Sequence, residues 1–168
     1  MTVALVGFAY KRLLGLHDAG LPISLSIFKN RLPANPLPGI TYIEYDKLHH
    51  LFEGAFASDL DDAIANQVRK NAFAIFSRTH YRTFARRADY SFDGFEVANH
   101  FENALNFYWR LLHDNQVQHL IFQNAPHGGS SIILYHLAKA LGLTTIIFMQ
   151  SLEPNRFWAA RCSAKVDA

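Results

Sequence analysis

The turn Asn124-Ala125-Pro126-His127-Gly128-Gly129-Ser130-Ser131 is the most informative stretch of the chain, because it gathers groups that can do chemistry between an apolar run and a helical pattern. His127 adds to the turn a group that can donate, accept or titrate near neutrality. Gly128 and Gly129 let backbone amides come close to a ligand, and Ser130 can cap the helix that follows. N–H groups at a helix start favour an anion such as phosphate or carboxylate. Asn124, Gly128, Gly129 and Ser130 are therefore candidate ligand contacts. The same residues would serve equally as a plain βα turn, with His127 exposed and idle.

Several chemistries lack their residues. Neither a GxGxxG dinucleotide fingerprint nor a GxxxxGK[ST] phosphate loop is present, and there is no Gly-x-Ser-x-Gly elbow or His-x-x-x-His pair. His49 and His50 are adjacent, so they diverge in a helix or a strand and make a poor metal pair, while His100 and His113 are expected on solvent-side helix positions. No metal site and no tightly bound cofactor are expected. Lys70, Arg78, Arg82 and Arg86 fall at multiples of four, with Tyr81 and Phe84 close by. That stripe reads as a solvated helix face, or as a surface for phosphate-bearing sugars or an anionic membrane.

Rigid elements must aim such a turn, and the hydrophobic pattern predicts them. Val3–Phe8 reads as a strand buried on both faces, Tyr10–Ala19 as a helix closed by Gly20 and Pro22, and Ile23–Phe28 as a second strand. Leu32–Gly39 carries Pro33, Pro36 and Pro38 and reads as an extended loop before a third strand, Ile40–Tyr45. Ser58, with Asp61 three residues on, can cap a helix from Asp59 to Arg87, continuous or joined near Ser77. Asp59, Asp61 and Asp62 at its start and Arg82, Arg86 and Arg87 at its end suit the helix dipole.

A helix over Phe95–Asp114 follows from Phe101, Leu105, Tyr108 and Leu112, spaced four, three and four, with Trp109 widening the stripe. Val117–Gln123 is the fourth strand, Ser131–Leu141 a helix ended by Gly142, and Thr144–Met149 the fifth strand. Strands alternating with helices imply a three-layer α/β, Rossmann-like parallel sheet of about five strands, order 3-2-1-4-5, with helices on both faces. One domain is expected over residues 1–158, with 159–168 as a tail. In that order strands one and four meet at the switch point, where ligands of open α/β sheets bind beyond the strand carboxyl ends. This adds Tyr10 and Lys11 after strand one, and Gln150 and Arg156 after strand five, to the candidate contacts.

The bulk numbers agree with one core. A chain of 168 residues, half of them apolar and 18% charged, can bury a core without staples, and 14% aromatic residues is a high share. A net charge of +2 and a pI near 8.7 are too mild to argue for nucleic acid. The single cysteine, Cys162, excludes an internal disulfide framework and a cysteine zinc cluster; it reads as an inert thiol and fits a reducing compartment. Thr2–Phe8 lacks the positive region and cleavage pattern of a signal peptide, and no apolar run nears the roughly 18 residues of a membrane span. A soluble cytoplasmic protein is expected.

Residues 93–157 carry a resemblance. A strand ending in Asn124-x-Pro126-His127, a helix Ile133 to Gly142 reading Ile-Leu-Tyr-x-Leu-Ala-Lys-x-Leu-Gly, and the apolar strand Thr144–Met149 together resemble the N-terminal part of bacterial capsule and surface-polysaccharide biosynthesis proteins. Those proteins are similar to glycosyltransferases of two Rossmann-like domains, the first receiving the acceptor and the second gripping a nucleotide sugar. The resemblance implies a saccharide or sugar-phosphate ligand, a nucleotide sugar as co-substrate, His127 as base or acceptor-orienting group, and Arg156 as a phosphate contact. It also implies a second domain or partner chain and peripheral contact with the inner face of a membrane. This sequence stops shortly after the fifth strand, so on its own it is expected to be catalytically poor. A non-catalytic module of a polysaccharide-synthesis complex and a small α/β enzyme acting on a phosphorylated metabolite are the competing readings.

Overall fold

A computed structural model describes residues 1–28, 34–44, 59–84, 94–127, 129–150 and 157–162 of the chain. Short apolar segments make the sheet. β1 (Val3–Val6), β2 (Ile23–Phe28), β3 (Thr41–Glu44), β4 (His119–Phe122), β5 (Thr144–Gln150) and β6 (Phe157–Cys162) lie in the order β3-β2-β1-β4-β5-β6. The first five are mutually parallel, and β6 runs antiparallel to β5. This is a Rossmann-like sheet, with the order expected for the first five strands. β1 is buried along its whole length, as a central strand covered on both faces must be.

Alternation along the strands sorts side chains to two cores. Val3, Leu5 and Ile121 point to the face covered by α1 (Tyr10–Asp18), joined by Ile23 across an irregularity of the β1–β2 register, and Leu13 of α1 is fully buried among them. Ala4, Val6, Leu25, Ile27, Leu120 and Phe122 point to the larger core. There they meet α2 (Asp62–Phe84), α3 (Gly94–Asp114) and α4 (Ser130–Ala140). On α2 the buried row is Ala65, Val68, Ala72 and Phe76, and on α3 the expected stripe of Phe101, Leu105, Tyr108 and Leu112 is buried. Phe76 and Phe101 pack edge to face at 5.4 Å, and Arg69 clamps Glu102 through Nε (2.7 Å) and Nη2 (2.8 Å).

Several expectations are corrected. The fifth strand is not the last, because residues 159–162, assigned to a tail, belong to β6. Ala159 and Ala160 are weak strand formers, so their pairing comes from the neighbouring β5 rather than from propensity. Asp61 is the α2 cap, its Oδ1 accepting from the Ala63 and Ile64 amides at 2.8 and 3.2 Å. The partner expected to lead that cap, Ser58, lies outside the described residues, as do His49, His50, Arg86 and Arg87. α2 runs through Ser77 without a joint, and Lys70 and Arg78 are exposed on it. His100 is not a solvent-side residue: its ring stacks on Phe76 at 6.4 Å and 17° between α2 and α3. His113, by contrast, faces outward against Trp109. The β2–β3 connection, where described, turns through residues 34–40 without a helix. The α1 face is therefore covered there by Leu37 and Ile40 as well as by α1.

Candidate functional site

Val6 at the end of β1 pairs with Phe122 at the end of β4, so these strands finish side by side. Beyond them the chain parts. β1 leads to α1 on one face, and β4 leads through residues 123–129 to α4 on the other. The crevice left between the two departing loops is a cavity of about 210 Å³, floored by Val6, Gly7 and Phe122 and walled by Asn124, Pro126, His127 and Ser131.

Within it, the histidine has a defined orientation. His127 is exposed, and its Nδ1 lies 2.7 Å from the Ala125 carbonyl oxygen. A carbonyl can only accept, so Nδ1 carries the proton of that bond and the neutral ring keeps Nε2 as an acceptor. A ligand hydroxyl reaching Nε2 would meet a group able to take its proton.

Gly129 is the residue before α4 and has φ 56° and ψ −153°, a conformation essentially restricted to glycine. Ser130 does not cap the helix as the sequence suggested. It is the first helical residue and is buried, while Gly129 occupies the cap position without a side chain to offer. At the cap position itself the turn thereby offers backbone rather than a hydroxyl, while Ser131 in the first turn of α4 lines the cavity.

The other candidates divide. Asn124 is exposed on the cavity wall beside His127. Tyr10 and Lys11 are not among the described lining residues; the Tyr10 hydroxyl instead donates to the Asn35 carbonyl at 3.1 Å, tying α1 to the loop before β3. Gln150 closes β5 opposite Phe157, and its side chain, like Gly128 and Arg156, lies outside the described residues. Sequence reasoning missed Gln123, which it treated only as the end of a strand. With its amide turned to satisfy both ends, Gln123 Nε2 donates to the Gly7 carbonyl at 2.5 Å and Oε1 accepts from Arg12 Nη1 at 2.7 Å. That bridge joins the end of β4 to Gly7, which floors the crevice, and to Arg12 on α1. A polar residue after three buried apolar ones was the only hint of it.

Among the described residues, no three His, Cys, Asp or Glu side chains lie together as a metal would need, and no helix is long and apolar enough to cross a membrane. Compared with family models, with curated proteins and with solved structures, the chain matches none.

Proposed function

We propose that this chain is the acceptor-side domain of a glycosyltransferase-like protein of surface-polysaccharide synthesis, with a saccharide or sugar-phosphate bound in the crevice beyond β1 and β4. The observation that carries the reading is His127, whose Nδ1 is engaged by the Ala125 carbonyl so that Nε2 is presented as an acceptor at the cavity wall. Inverting sugar transfer needs a base beside the acceptor hydroxyl and electrostatic support for the departing phosphate. His127 serves as that base here, and Asn124 orients the hydroxyl. The nucleotide sugar is held by a second Rossmann-like domain or partner chain, which supplies the phosphate contacts. The resemblance of residues 93–157 to capsule-biosynthesis proteins supports the substrate class.

One observation favours a second reading. The glycine cap and the exposed turn before α4 also suit the phosphate of a small phosphorylated metabolite, since helix amides attract anions without help from a base. Thermal-shift titration with hexoses, hexose phosphates and nucleotide sugars decides between them, run in parallel on wild type and His127→Ala. The acceptor reading expects a shift with saccharides that His127→Ala loses without a fall in unliganded Tm. A shift with every phosphorylated compound that survives His127→Ala assigns the crevice to phosphate alone. No shift with any of these ligands removes the proposal.

A further inference from the structure

We infer that the chain carries a second small-molecule site, an aromatic-walled cavity at the amino ends of β4 and β5 that accepts a small quaternary ammonium ion. The cavity has a volume of about 360 Å³, within the range of small-molecule pockets. Trp109, Leu112 and His113 from the last two turns of α3, Val117 before β4, and Leu141 and Leu143 between α4 and β5 make its walls. It lies at the opposite end of the strands from the His127 crevice, which opens beyond their carboxyl ends.

Its two rings are each held by a carboxylate. Trp109 Nε1 donates to Asp59 Oδ1 at 2.8 Å, and His113, whose ring lies 5.2 Å away and tilted by 40°, has Nδ1 3.3 Å from Asp114 Oδ1. A carboxylate only accepts, so it takes the N–H of each ring, fixes the ring and adds electron density to its π face. The Trp109 N–H in turn holds the Asp59 carboxyl below the usual carboxylate range, so the charge persists. The face of a tryptophan is the best aromatic platform for a cation, which needs no hydrogen bond of its own there.

The surrounding charge has the matching sign. α3 and α4 both end at the cavity, and the carboxyl ends of helices favour cations. The described lining holds no lysine or arginine; Arg110, whose charge also acts on Asp59, is not one of its residues. Leu112, Val117, Leu141 and Leu143 offer methyl groups a surface but give the N–H donors of a primary ammonium no side-chain acceptor, which selects the quaternary ion. A phosphate ester of the same head would set its own charge against Asp59 and Asp114, so the ligand is the free ion and not a lipid headgroup. This site is independent of the saccharide reading.

Isothermal titration of the full chain with choline and with dimethylbutanol, its uncharged carbon isostere, tests it. Wild type is expected to bind one choline, roughly tenfold more tightly than the alcohol, as one desolvated cation–π contact would produce. Trp109→Leu should bring choline down to the affinity of the alcohol. Trp109→Phe, which keeps a ring but drops the bond to Asp59, should fall between. His127→Ala should leave choline binding unchanged, and the chain should show no choline-displaceable binding to phosphatidylcholine vesicles. Absence of choline binding to wild type, equal affinity for choline and the alcohol, or a preference for choline that survives in both Trp109 variants would each overturn the inference. Loss of choline binding in His127→Ala would place the ion in the other cavity, and vesicle binding that choline displaces would make the ligand a headgroup; either result overturns it too.

Discussion

Two histidines on neighbouring segments show how little residue type says about role. His127 is exposed and has its tautomer set by a single carbonyl, which makes it useful at a site. His136, on α4, is half-buried, and its pKa is lowered from the ordinary value of 6.5, first by burial and then by the charge of Lys139. Lys139 is itself held near, over the Tyr135 ring at 5.7 Å. The consequence for stability has a definite sign. The unfolded chain protonates His136 near its ordinary pKa, whereas the folded chain resists, so the unfolded state binds more protons in the interval between. Stability from this group is complete above the unfolded value and is lost as pH falls through it toward the lower folded value. Thermal denaturation from about pH 7 down to about pH 5 should therefore show a smaller fall in Tm for His136→Asn than for wild type. Parallel curves would show that His136 carries none of the dependence.

At the level of elements, three helices end in the same way, and one does so against its residue type. Gly20 and Gly142 close α1 and α4 with φ of 85° and 73°, their amides and those of the following residues returning to the last turn. α3 ends likewise, with the Gln116 amide donating to His113 and the Val117 amide to Leu112, yet Gln116 must hold φ at 50° with a side chain attached. A left-handed conformation costs a residue with a Cβ of order 1 kcal/mol that glycine escapes. The Thr2 hydroxyl donates to the Gln116 carbonyl, a backbone group that any replacement retains. Gln116→Gly should accordingly raise the unfolding free energy by about 0.5–1 kcal/mol in urea denaturation. A decrease would mean that the Gln116 side chain supports the α3–β4 corner in some other way.

The whole molecule is built on a six-stranded sheet whose central strand, β1, is flanked by β2 and β4 and is buried throughout. Among the described residues, three helices bury one face, and one helix with Leu37 and Ile40 packs on the other. β6 ends the sheet, paired with β5 alone among the described residues, and bears Trp158 at 69% exposure beside Met149 at 43%. Amide hydrogen exchange should follow that gradient, with β1 and β4 exchanging only through global unfolding and β6 through local opening. Protection of β6 equal to that of β1 would show that its other edge is covered.

The order of the first five strands, the long helices and the location of the crevice were all legible in the chain. Runs such as Ile23–Phe28 and the stripe from Phe101 to Leu112 carry their period in their own residues, and an α/β alternation admits few topologies. What the sequence could not tell was anything decided by partners distant along the chain. β6 extends through Ala159 and Ala160, weak strand formers, because β5 offers them a ladder, and His100 is not a solvent-side residue because Phe76 of another helix lies against it. Gln123 acquires its task from Gly7 and Arg12, more than a hundred residues earlier. Local periodicity is a property of a segment, whereas a strand edge, a ring stack and a bridging amide each belong to two segments at once. Only tertiary packing could bring those pairs together.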